Sequence, residues 1–162
     1  IVQQQYDLIE KEKQLERFAA SELVKSKPCS TETMGESVND RERELFIRTE
    51  RLMKNEHCYR DRNLTIESLA ERLSTNRTYL SKAINQQSGK SFSQYINSYR
   101  IDAARHMLSD ADNDIQIKEL AYALGFSTPE TFSASFRKAV GIVPSKFREE
   151  MRKMHQESRR KV

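Results

Sequence analysis

Arg77, Thr78, Ser81, Lys82 and Asn85 are hydrogen-bonding side chains set at helical spacing around Leu80 and Ile84, which stand at i and i+4. If the two apolar residues turn inward, the polar five share the outward face. Arg and Lys donate to guanine acceptors or to phosphate, and Ser, Thr and Asn both donate and accept. Such a convex face has the chemistry to read base edges in a major groove. A second set, Pro129, Glu130, Ser133, Ala134 and Arg137, surrounds Phe132 and Phe136 in the same way. It is less well armed. Pro129 and Ala134 carry no side-chain donor, and Glu130 accepts from cytosine or repels phosphate.

Other chemistries find no support. Asp110-Ala111-Asp112-Asn113-Asp114 begins like a calcium loop, but its sixth position is Ile115 in place of Gly and its twelfth is Ala121 in place of Glu. His57, His106 and His155 lack metal-ligand spacing, and Cys29 and Cys58 have no CxxC partner, so reduced thiols are expected. With four glycines there is no phosphate loop, and neither a nucleophile elbow nor a paired-carboxylate arrangement occurs. No cofactor, metal or enzymatic activity is expected.

The two polar faces belong to a repeat. Ile66, Leu69, Ala70 and Leu73 recur 51 positions later as Ile117, Leu120, Ala121 and Leu124. The offset then becomes 52, and Leu80, Ser81, Ile84, Gly89 and Tyr95 map onto Phe132, Ser133, Phe136, Gly141 and Phe147. Each copy reads as two short helices joined by a tight turn, with a small residue, Ala70 or Ala121, where they cross: a helix-turn-helix. Thr65 can cap the first helix, and Gly89 and Gly141 close the second helix of each copy. Ser91 to about Leu108 forms a longer amphipathic helix between the copies, roughly 27 Å at about 1.5 Å per residue. That length suits two reading helices held about 34 Å apart, one turn of DNA. Tyr79, Tyr99 and Tyr122 read mainly as packing, and Arg100 as a structural ion pair.

Upstream, Asn39 and Glu42 can form a capping box ahead of a helix bearing Leu45, Phe46, Thr49, Leu52 and Met53 to about Glu56. Residues 27–40 read as a linker and 41–152 as the tandem domain. Residues 1–26 carry Leu8, Leu15, Phe18, Ala19 and Leu23 on one stripe of an amphipathic helix. That stripe fits a short coiled-coil seam for a homodimer or a helix docked on its own domain. Residues 153–162 read as a basic tail. The expected fold class is therefore all-α: two helix-turn-helix units on a long linker helix, preceded by an N-terminal amphipathic helix.

Charge follows the same division. The 162 residues carry a formal net charge of +4, of which residues 1–44 hold −3 and residues 45–162 hold +7. The basic part is the part with the repeat, and a positive surface concentrates phosphate backbones near it. No run approaches 18 apolar residues, and no signal peptide opens the chain, so no membrane contact is expected from this segment. A start at Ile1 reads as a piece of something longer.

From about Leu45 to Arg148 the chain resembles the DNA-binding domain of AraC-type (AraC/XylS) transcription regulators. The resemblance rests on Gly125-Phe126-Ser127-Thr128-Pro129-Glu130-Thr131-Phe132-Ser133-Ala134-Ser135-Phe136-Arg137-Lys138, then Gly141, Pro144 and Phe147-Arg148. The first unit adds LAERLSTNRTYLSKAIN, Gly89, Phe92, Tyr95, Arg100, Ala104 and Leu108. It implies seven helices, and base contacts from Arg77, Thr78, Ser81 and Lys82 and from Glu130, Ser133 and Ala134. Arg137 is expected on phosphate. The expectation is a sequence-specific, cytoplasmic DNA-binding regulator of transcription. Its partners would be double-stranded DNA and RNA polymerase, and its sensor would lie upstream, with tethering to a membrane sensor by an upstream segment left open. Two rivals stay open: an architectural protein that bends DNA without preference, and an adaptor that has kept the fold and lost DNA binding.

Overall fold

A computed structural model of the chain describes residues 38–160. The expectations for residues 1–37, namely the amphipathic helix, the seam and most of the linker, lie outside them, as does Cys29. The described residues form seven helices and no strand: α1 (Val38–Asn55), α2 (Ile66–Arg72), α3 (Arg77–Ser88), α4 (Phe92–Ser109), α5 (Ile117–Ala123), α6 (Pro129–Val140) and α7 (Pro144–Arg160). A single 3-10 turn, Cys58–Arg60, links α1 to the first unit. The helix-turn-helix pairs are α2–α3 and α5–α6, and α4 joins them.

The repeat holds at the level of the backbone. α2 and α5 are both 7 residues long, and α3 and α6 are both 12. Each turn closes with the same hydrogen bond, Thr75 N–H to the Ala70 carbonyl at 2.9 Å and Phe126 N–H to the Ala121 carbonyl at 3.0 Å. The extra residue of the second copy therefore falls after Phe126, just before the cap of α6. Asn76 and Thr128 then cap the second helices by accepting from the N–H groups of Tyr79 and Thr131, which satisfies a donor that the helix start leaves open. Gly89 and Gly141 end those helices in the left-handed conformation.

Burial matches the pattern that predicted it. Leu69, Ala70, Leu80, Ala83 and Ile84 fill the first core, and Leu120, Ala121, Leu124, Phe132 and Phe136 the second. The second core is a run of aromatic rings in edge or tilted contact, Phe126 to Phe132 at 5.1 Å, Phe132 to Phe136 at 5.7 Å and Phe136 to Phe147 at 5.5 Å. Such pairs add about 0.5–1.5 kcal/mol each beyond their buried area.

Three local expectations differ. Asn39 does not cap: α1 already includes Val38, and the Glu42 side chain is buried against another helix instead of reaching back to a helix start. Tyr79 and Tyr122 are exposed at 56% and 45%. Only Tyr99 packs, stacked with Tyr59 and edge-on to Tyr95. Finally, α7 runs unbroken from Pro144 through Arg159 and Arg160, so the basic segment expected as a tail from residue 153 is helical as far as residue 160.

Candidate nucleic-acid interface

The α2–α3 unit presents its polar face between two carboxylates. Arg77, Thr78, Ser81, Lys82 and Asn85 are all exposed, with Leu80, Ala83 and Ile84 buried beneath them. On the α2 flank, Arg77 pairs with Glu67 at 3.0 Å, both side chains largely in solvent. Exposed pairs of this kind contribute about 0–1 kcal/mol and break readily. On the α1 flank, Lys82 Nζ lies 2.7 Å from Oε1 of Glu42, whose side chain is only 5% exposed. α1 is the helix packed most extensively on α3, so the position of this carboxylate is set by the core.

In the second unit Glu130, Ala134 and Arg137 are exposed on α6 and Ser133 is partly covered. Pro129 occupies the first turn of α6, where its missing N–H leaves no orphan donor, and Thr128 caps it. The cations of this face, Arg137 and Lys138, sit in the last turn of α6. The structure thus brings each set of expected residues onto one face of one helix, with the first set richer in donors.

What sequence spacing missed is the joint between the units. Arg100, expected in an ion pair, instead donates from Nε to the Tyr59 carbonyl at 2.7 Å and from Nη2 to the Asp61 carbonyl at 2.9 Å. Its guanidinium also lies 5.5 Å from the centre of the Phe126 ring, and burial pulls its pKa below the usual guanidinium range. Gly125 closes the joint. Its φ is +83°, and a Cβ there would stand 2.6 Å from the Arg60 carbonyl oxygen. The matching residue of the first turn, Ser74, has φ 53° and is not a glycine. Close approach of the 3-10 turn, more than backbone conformation, is what demands glycine at 125.

Behind the first unit, Tyr99 donates to Glu50 and shares a contact with the Tyr95 hydroxyl. Burial pushes the Tyr95 phenol up to about 12 and raises Tyr99 as well, so both stay neutral across the physiological range. Burial likewise raises the Cys58 thiol, whose Sγ contacts the Leu52 carbonyl at 3.0 Å; this is an inert packed thiol. The acidic loop after α4 is tied to α7: Asp114 pairs with Arg152, Arg148 donates to the Ile115 carbonyl, and Asp110 and Asn113 accept backbone N–H groups.

A family profile described as a helix-turn-helix domain matches residues 69–150, half of the chain. The chain belongs to the AraC-type helix-turn-helix family. It is 37% identical over 91 residues to the uncharacterised HTH-type transcriptional regulator YtdP of Bacillus subtilis, covering 56% of this chain and 12% of that protein. It is 33% identical over 88 residues to the melibiose operon regulatory protein of Escherichia coli K12, covering 54% of this chain and 28% of that one. The chain therefore spans a minor part of these relatives. Among solved structures it superposes on the C-terminal domain of the two-component response regulator yesN from Fusobacterium nucleatum with a TM-score of 0.54 and 27% identity, covering 62% of this chain and 98% of that one. It also shares the fold of the AdpA DNA-binding domain, solved with a target DNA, at a TM-score of 0.59 and 23% identity, over 68% of this chain and 94% of that one. This AraC-type segment is a DNA-binding domain of the transcription-regulator class. No described helix is long and apolar enough to cross a membrane.

Proposed function

We propose that this AraC-type domain is a sequence-specific regulator that inserts α3 and α6 into successive major grooves of promoter DNA. The observation that carries this reading is the duplicated backbone: two capped 12-residue helices, each with a buried inner face and an exposed polar outer face. α3 supplies most direct readout through Arg77, Thr78, Ser81 and Lys82. α6 contributes less base chemistry, from Glu130, Ser133 and Ala134, and acts more through Arg137 on phosphate, through its N-terminus and through DNA shape. The domain works in the cytoplasm, by recruiting or blocking RNA polymerase, under a sensor carried elsewhere in a longer protein. Residues 1–26 would join it to that sensor or to a second copy. The chemistry is binding rather than catalysis.

Selecting duplexes from a random pool tests this directly. The expected motif has two blocks about one helical turn apart, with the stronger base preference in the block facing α3. Its affinity should exceed that for unrelated DNA by about a thousandfold or more. Tight binding without enrichment would identify an architectural protein, and absence of salt-dependent DNA affinity would identify an adaptor.

A further inference from the structure

Glu42 is the only buried acidic residue among the described residues, at 4% exposure, and it is spent on a lysine of the reading face. Burying a carboxylate costs several kcal/mol before pairing, and apolar replacements of buried pairs are often neutral or stabilising. Packing α1 on α3 would be served at least as well by an apolar residue there. The carboxylate is instead placed within 2.7 Å of Lys82, whose side chain remains 49% exposed. The contact is a close ion pair in which Glu42 Oε1 has no aligned hydrogen bond, so the carboxylate holds the ammonium by charge while its donors can still turn toward other acceptors. A paired lysine of this kind has two unequal properties. Its net charge is cancelled, which removes most of its pull on phosphate, the sequence-independent part of DNA affinity. Its N–H groups can still donate to guanine O6 or N7, the sequence-dependent part. Position 134 in the second unit, which matches Lys82, is alanine and has no such pair.

We propose that Glu42 is a specificity-determining positioning residue, which orients the Lys82 ammonium toward a base acceptor and cancels its attraction for phosphate. The inference rests on the proposed reading of α3 as a DNA-contacting helix. Glu42→Gln keeps the shape and an accepting oxygen and removes the charge. Its binding should be measured on a duplex recovered by selection and on a scrambled duplex of equal length, between about 50 and 200 mM salt.

The expected result is tighter binding to the scrambled duplex, a log K against log salt slope steeper by about 0.9, and a selected-to-scrambled ratio lower by about tenfold. In a Lys82→Ala background, Glu42→Gln should leave the slope unchanged. Unchanged slope and ratio in the single variant, with melting retained, would mean that the pair only packs α1 on α3, and would overturn the proposal. So would a steeper slope that persists without Lys82, because Glu42 would then act on phosphate directly. Should Glu42→Gln unfold, Glu42→Met, which fills a similar volume without a charge, takes its place with the same expected and overturning results. A wild-type protein that fails to distinguish the two duplexes would place the fault in the DNA-reading proposal itself.

Discussion

Lys82 and Arg77 look alike in the sequence, two cations on one helix face, and the structure separates them. Arg77 shares an exposed carboxylate with solvent, while Lys82 is held by a carboxylate that the core holds. Lys82→Ala should therefore weaken binding to the selected duplex by about 1–3 kcal/mol and relax preference at one base step, measured by titration against single-base variants of the site. An equal loss on scrambled DNA would assign it to phosphate. The polar type and spacing of both residues were legible from the chain alone. Glu42 as the neighbour of Lys82 was not, because a residue 40 positions away in sequence has no local signature, and its spacing from Asn39 pointed to a capping box instead.

The elements were the most legible level. An i, i+4 apolar pattern, Asn or Thr at a helix start and Gly at its end are local causes, and local causes leave local marks. Phe136 lies fully buried in the ring chain of the second unit. Its replacement by alanine should destabilise the domain by about 3–5 kcal/mol in denaturant unfolding, and unchanged stability would refute its central place. Asn76→Ala removes a cap and should cost about 1 kcal/mol, with DNA affinity falling in proportion to the fraying of the first turn of α3. Tyr95 and Tyr99 give α4 a pH dependence. Their folded pKa values are raised above the ordinary phenol, so their contribution is intact below about pH 10 and is lost as pH climbs toward the folded values. Tyr95→Phe with Tyr99→Phe should flatten the alkaline fall of the melting midpoint between about pH 10 and about pH 12. Tyr79 and Tyr122 misled because an aromatic at a helical position says nothing of whether a neighbouring element will cover it.

At the scale of the molecule, the proposed reading of DNA by α3 and α6 together requires that their relative position be fixed. Arg100 on α4, the carbonyls of Tyr59 and Asp61, and the Gly125–Phe126 turn form the joint that fixes it. Gly125→Val forces a side chain into the Arg60 carbonyl and adopts a backbone strained for any branched residue. Arg100→Met leaves two carbonyls without their donor while keeping apolar bulk on Phe126. Both should lower affinity for the full two-block duplex and make binding more tolerant of one inserted base pair between the blocks. A duplex carrying only the first block should bind nearly as before. Equal losses on both duplexes would show general destabilisation of the fold in place of a loosened joint.

The sequence by itself determined the helices, the two cores and which helix faces remain polar, because each follows from periodicity and capping within a dozen residues, and it showed the duplicated unit because that pattern recurs 51 to 52 positions later. Only the tertiary structure decided which of those polar residues are held and by what: Lys82 by Glu42, Arg77 by Glu67, and one unit against the other through Arg100 and Gly125. These contacts join residues separated by about 10 to about 65 positions, and their strength depends on burial and approach distance, which exist only once the chain has folded.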